Sequence, residues 1–256
     1  MTGWTARVVP RRQGVRVLGY HSVSDPEAGL AGPHPNPFYI TPHLLRAHLR
    51  FLTRTGYTFV TGDQFAGFSA GRESPPPRAV LVTFDDGYAD LLHTAVPILE
   101  EMGVPAVTFV LAGMIGHPGS WPSSFPGPSR RLCNAEELHA LTRKGVELGG
   151  HSMTHPDLSR VTGSTLEHEI FGCATALEAL GLPRPRFFAF PYGRHNESVR
   201  RVVREAGFVA AFSTRPGLAR SDGDQWQIPR LEIVNVDHGH RFQRKIALAG
   251  ALRLRA

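Results

Sequence analysis

The chain is poor in cysteine. Cys133 and Cys173 are the only two in 256 residues, and they stand far apart. Their spacing fits neither a thiolate metal site nor a disulfide framework, so both read as free buried thiols. No run approaches the ~18 consecutive apolar residues needed to cross a bilayer, which excludes a membrane-spanning helix. The opening "MTGWTARVVPRRQGVRVLGYHS" also lacks the apolar core of a secretory leader. Read literally, this makes the protein cytoplasmic, although a secreted chain trimmed of its leader would open the same way. Helix-turn-helix, zinc-finger and RNP patterns are missing too. Nucleic acid is therefore not an expected partner, despite a net charge of +6. The basic residues are scattered except at 11–12 and in the tail "RFQRKIALAGALRLRA". That tail is expected at most to touch an anionic membrane surface weakly.

What is present is an ordinary globular composition, 41% hydrophobic and 20% charged. The length suits a single α/β barrel. "VRVLGYHSV" from Val15 reads as a buried strand ending at His21, and a loop rich in Pro and Gly follows. "TPHLLRAHLRFLTRTG" is an amphipathic helix capped by Thr41 and stopped at Gly56. "YTFV", "AVLVTF", "PAVTFVL", "VELGG", "RFFAF", "FVAAFS" and "QIPRLEIV" read as further strands. Helices of 10 to 18 residues separate most of them, so the pattern is that of βαβ units and a parallel sheet. Six or seven units in one chain favour a closed or nearly closed barrel. The expected organisation is an N-terminal extension (1–14), a barrel domain (15–238) and a basic C-terminal helix (239–256). Oligomeric state is not legible.

The polar residues of interest fall at strand carboxyl ends, where parallel α/β folds build their sites. "TFDDG" places Asp85 and Asp86 side by side after a buried strand. Alone, it reads equally well as a solvated Asp-Gly turn. Adjacent residues leaving a strand point in different directions, so one carboxylate can bind a cation while its neighbour faces the water that the cation activates. "HSMTH" spaces His151 and His155 by four, the separation that aligns two side chains on one helical turn. Alone, HxxxH is weak, and surface or capping histidines are the commoner explanation. With Asp86 as third ligand it makes a two-imidazole, one-carboxylate set suited to Zn²⁺, with Co²⁺ or Ni²⁺ as alternatives.

The motifs "VLGYHSV", "VLVTFDDGYAD", "PILEEMGVPAVTFV", "GVELGGHSMTHPDLS", "FAFPYGRHNESVRRVVREAGF" and "IPRLEI" occur in that order. Together they resemble the polysaccharide deacetylases of carbohydrate esterase family 4, the NodB homology domain, over roughly residues 15–235. The wording "FAFPYG" is nearest the poly-N-acetylglucosamine de-N-acetylase branch. The resemblance implies a distorted (β/α) barrel of about seven parallel strands. It implies a metal-dependent hydrolase that removes an N-acetyl group from an amino sugar or polysaccharide and releases acetate. It further implies Asp85 as general base, and Asp86, His151 and His155 as metal ligands. Thr154 or Ser152 would brace the histidine loop. Pro191, Tyr192 and Gly193 would wall the sugar groove, and the Tyr192 N–H would help to hold the oxyanion.

Three departures leave roles open. Ala189 stands where many members carry an arginine that orients the base. The tryptophan-bearing fourth motif is replaced by "IPRLEI". The late Leu-x-His motif has only a loose counterpart at His238 and His240. Arg230 is the expected replacement cation, with Arg186 as alternative but at the far end of its strand. His21 is the expected acid, with His238 a weaker rival, although His21 reads equally well as a buried histidine tying down its loop. Two other functions fit the same pattern. One is hydrolysis of another non-peptide C–N bond, in a ureide, imide or small amide. The other is an inactive glycan-binding module, which the intact Asp85, Asp86, His151 and His155 argue against.

Overall fold

In the computed structural model, which describes residues 14–24, 36–119 and 130–249, the apolar runs become strands of one curled sheet. In chain order the strands are β1 (Arg16–Tyr20), β2 (Ser22–Val23), β3 (Tyr39–Ile40), β4 (Thr58–Phe59), β5 (Ala79–Phe84), β6 (Ala106–Val110), β7 (Glu147–Gly150), β8 (Phe187–Ala189), β9 (Ala210–Phe212) and β10 (Leu231–Glu232). The helices are α1 (Pro42–Arg54), α2 (Gly62–Ser69), α3 (Val96–Met102), α4 (Ala135–Arg143), α5 (Gly163–Ala179), α6 (Glu197–Glu205) and α7 (Gly239–Leu248). Parallel strands run in the order β10-β1-β5-β6-β7-β8-β9, with β4 beside the start of β5. β2 and β3 form a separate parallel pair. Ile228 bridges to Phe212 of β9, and Leu231 pairs with Leu18 of β1. The segment 228–232 thus spans the gap between the two ends of the sheet. The result is the distorted barrel of about seven strands that the sequence implied.

Alternation along the strands divides the core. Val17, Leu81, Val107, Phe109, Phe187 and Phe212 pack together in one cluster. Leu18, Val80, Val82 and Phe84 belong to another, with residues of α1, α3 and α4. Burying each such side chain contributes roughly 1.5–3 kcal/mol. A buried charge left unpaired costs several kcal/mol, so the polar residues at the barrel rim must find partners.

Helix starts follow their sequence signals. Thr41 accepts the Leu44 N–H, and Thr61/Gln64 and Asn134/Glu137 form reciprocal capping boxes. One helix is irregular. The run from Tyr88 to Gly103 is not uniform: a wide π-type turn, Leu91–Ala95, precedes α3. Pro97 explains the break, since it lacks an N–H and its ring crowds the carbonyl four residues back. The C-terminal helix does not stand apart either. α7 buries Phe242 and Ile246 in the same core as β1 and β5, and Arg16 Nε donates to the Ile246 carbonyl at 2.9 Å. Residues 1–13 of the expected extension, 250–256 of the expected basic helix, and 25–35 and 120–129 of the two long loops lie outside the described residues.

Candidate active site

Asp85 continues the inward-facing alternation of Leu81 and Thr83, and its N–H still extends the ladder to the Tyr20 carbonyl at 2.9 Å. Asp86 then breaks the strand with a left-handed φ of 73°, followed by Gly87 at 73°. This reversal aims the two neighbouring carboxylates apart. Both are buried, yet they meet different partners.

Asp85 is clamped by Arg230. The guanidinium Nη1 and Nη2 donate to its two oxygens at 2.6 and 2.7 Å, a bidentate fork. Arg230 is itself fully buried, donates from Nε to the Ser213 carbonyl at 3.1 Å, and lies 5.5 Å from the Phe109 ring centre. Its place just before β10 makes this reach possible, because β10 borders β1 and β1 borders β5. Burial alone would raise the Asp85 pKa. The charge and hydrogen bonds of Arg230, with help from His151, more than offset it and hold the carboxyl well below the ordinary range.

Asp86 instead faces two imidazoles. Its Oδ1 lies 3.4 Å from His151 Nε2 and 3.6 Å from His155 Nε2, and has no hydrogen-bond donor of its own among the described residues. One ligand atom from each of the three residues lies within 4.8 Å of the others, and all three residues are buried. Donors on a tetrahedral ion at ~2.0–2.1 Å stand about 3.4 Å apart, so this donor set fits a divalent cation. His151 is oriented for it, since its Nδ1–H donates to the Ala189 carbonyl at 2.7 Å and leaves Nε2 towards Asp86. The position that lacks the expected arginine side chain thus contributes its backbone oxygen. Burial lowers the His155 pKa to about 4, leaving a neutral imidazole. His151 moves the other way: burial opposes its charge, but Asp86 and Asp85 outweigh burial. A bound cation would take the place of that proton.

The four-residue spacing of the histidines does not come from a helical turn. Residues 151–157 form a loop with φ of 74° at Ser152 and 64° at His155. Two reversals swing both rings inward, which one helical turn would not do from this strand end. Ser152 Oγ accepts the His155 N–H at 3.0 Å. Thr154 Oγ1 donates to Glu169 at 2.7 Å. Glu169 was missed by the sequence reading. The signal was there: a charged residue among Leu166, Ile170 and Cys173 on the apolar side of α5.

Pro191, Tyr192 and Gly193 make a single 3-10 turn after β8 in which Tyr192 has φ 57°. Tyr192 is 43% exposed and its ring meets that of His155 edge-on at 4.5 Å, so it borders the cluster while facing solvent. His21 follows β1 on the same rim. Its ring lies 4.5 Å from Phe38, and its buried Nδ1 has no hydrogen-bond partner among the described residues. Other candidates lie elsewhere. Arg186 pairs with Glu147 and Asp63 at the start of its strand, and His238 and His240 are exposed at the start of α7. Cys133 and Cys173 are free and buried.

A curled parallel sheet with its polar cluster on the carboxyl rim defines a NodB-type barrel. The chain belongs to the polysaccharide deacetylase family, whose sequence model matches residues 72–211. It is 22% identical over 216 residues to the poly-beta-1,6-N-acetyl-D-glucosamine N-deacetylase of Staphylococcus aureus (strain MRSA252), covering 81% of this chain and 72% of that one. Among solved structures, the deacetylase PplD of Streptococcus pyogenes superposes with a TM-score of 0.76 at 19% identity, over 92% of this chain and 99% of that one. IcaB from Ammonifex degensii gives 0.71 at 24% identity, over 91% and 97%. His21 and Arg230 both lie outside the matched stretch, so their places in the site rest on geometry.

Proposed function

We propose that this protein hydrolyses the N-acetyl group of an N-acetylated amino sugar within a saccharide, giving a free amine and acetate. The observation that carries the reading is the divergence of Asp85 and Asp86: one is locked on a buried arginine, the other is open to two imidazoles. Asp86, His151 and His155 would hold a divalent cation, Zn²⁺ by donor type, or Co²⁺ or Ni²⁺. Such an ion supplies Lewis acidity, which makes a water more acidic and polarises the acetyl carbonyl.

Asp85 is the base that takes the proton of the attacking water. Arg230 fixes both of its oxygens and keeps it ionised, so it is ready to accept. The N–H of Tyr192, turned by the left-handed residue, is the donor for the developing oxyanion. Pro191 and Gly193 hold that turn, and the Tyr192 ring offers a wall to the sugar. His21 protonates the departing amine, because its Nδ1 is not committed to holding the fold. The collapse then breaks the C–N bond, and the proton from His21 completes the amine.

Acetate release from N-acetylated chitooligosaccharides, measured alongside metal content, tests the reading. The wild-type chain is expected to carry one divalent ion and to release acetate. The His151→Ala, His155→Ala double variant is expected to lose both. Undiminished metal in that variant would overturn the ligand assignment.

A further inference from the structure

The histidine loop is held in place by a carboxyl group that lies outside the reacting set. Glu169 is 5% exposed, on α5. Its Oε2 accepts the N–H groups of Met153 and Thr154 at 2.9 and 3.0 Å, and its Oε1 accepts the Thr154 hydroxyl at 2.7 Å. These donors sit between Ser152 and His155, the two left-handed residues of the loop. A non-glycine residue in that region costs on the order of 1–3 kcal/mol and persists only where the surroundings enforce it. The loop's carbonyls are tied by a second set of donors. Ala112 and Gly113 donate to the Ser152 and Met153 oxygens at 3.1 and 3.0 Å. One bank therefore fixes the carbonyls and Glu169 fixes the amides. Between them the backbone can take few conformations besides the one that turns both imidazoles towards Asp86.

We propose that Glu169 is a positioning residue for the Asp86, His151 and His155 site: by fixing the loop before any cation arrives, it sets how tightly and in what geometry the cation is held. This rests on the metal-site reading above. The geometry makes a discriminating claim about side-chain chemistry. Glutamine can meet the same three groups. Its oxygen takes the two amides and its NH₂ donates to Thr154 Oγ1, since a hydroxyl can also accept. Alanine meets none and leaves the two amides without that acceptor. A residue that merely filled space would show no such split.

The test is titration of the metal-free protein with Co²⁺ and with Zn²⁺, read as Kd and as the cobalt ligand-field spectrum, with the melting temperature of the metal-free state recorded alongside. Glu169→Ala is expected to weaken binding by about 10- to 100-fold, the usual worth of a group that supports a metal ligand from outside, and to alter the cobalt bands. Glu169→Gln is expected to stay near the wild type in both. A folded Glu169→Ala protein with wild-type Kd and an unaltered spectrum would overturn the inference alone. Failure of the wild-type chain to bind either ion would overturn the metal site and this inference with it. If Glu169→Ala does not fold, Thr154→Val replaces it, removing one of the three contacts. Several-fold weaker binding then supports the proposal, and an unchanged Kd overturns it.

Discussion

Asp85 and Asp86 share a peptide bond and little else. A single left-handed residue separates a carboxylate gripped by a guanidinium from one facing two imidazoles. The two should therefore respond oppositely to the same chemical change. Asp85→Asn keeps the shape, removes the proton acceptor and leaves Asp86 alone. Metal content should persist while the rate of acetate release falls by about 10²–10⁴, the usual worth of a positioned base. Near-normal turnover would remove Asp85 from that role. Arg230 works on the same group through charge. Because it holds the Asp85 carboxyl below its ordinary range, that carboxylate stays ionised down to acid pH. Without the cation the carboxyl should protonate at higher pH. In Arg230→Gln, the acid limb of the pH–rate profile should therefore move towards neutrality. The same change strands a buried carboxylate, a loss of about 3–5 kcal/mol visible in thermal melts. An acid limb that stays in place would show that Arg230 does not tune the base.

Among the elements, the turn after β8 has little room to adjust. Gly193 has φ 65°, and a Cβ there would sit 2.1 Å from Thr214 Oγ1 and 2.6 Å from the Thr214 backbone nitrogen. The hydroxyl can rotate away; the backbone beyond β9 cannot. Gly193→Ala should shift the Pro191–Gly193 turn, displace the Tyr192 N–H and cost roughly 1–3 kcal/mol of overpacking, besides the strain at that φ. Reduced kcat with metal content intact is the expected result, and wild-type kcat would show that the turn does not serve the reaction. The sequence discloses these elements unevenly. β5 and its "DDG" end are plain because a buried strand and its exit are contiguous in the chain. Arg230's reach to Asp85 also follows from the sequence, since a last strand closing a barrel must return beside the first. The histidine loop does not. Spacing of four suits a helix, and only backbone reversals at Ser152 and His155 reveal why it is a loop. Glu169 is marked only as a charge on the apolar side of α5; two of its three contacts are to main-chain amides, which carry no residue signature.

Across the whole molecule, the proposed site joins parts of the chain that lie far apart in sequence. In the proposed site, His21, Asp85, Asp86, His151, Tyr192 and Arg230 come from five segments spread over most of the sequence. Asp86 leaves β5, whereas both histidines follow β7, with β6 between them. A cation bound by all three would tie non-adjacent strands across the barrel mouth, and it could do so only in the folded state. Its free energy of binding is then added to that of folding. At a free ion concentration 100 times Kd, the gain is about 2.7 kcal/mol. For a domain of this size, each kcal/mol raises the melting temperature by about 2–4 °C. Adding Zn²⁺ to the metal-free protein should therefore raise Tm by about 5–11 °C. A chelator should reverse the rise, and the double histidine variant should show none of it. If the variant's Tm climbs as far as the wild type's, the ion binds elsewhere, and the barrel mouth is not what it fastens.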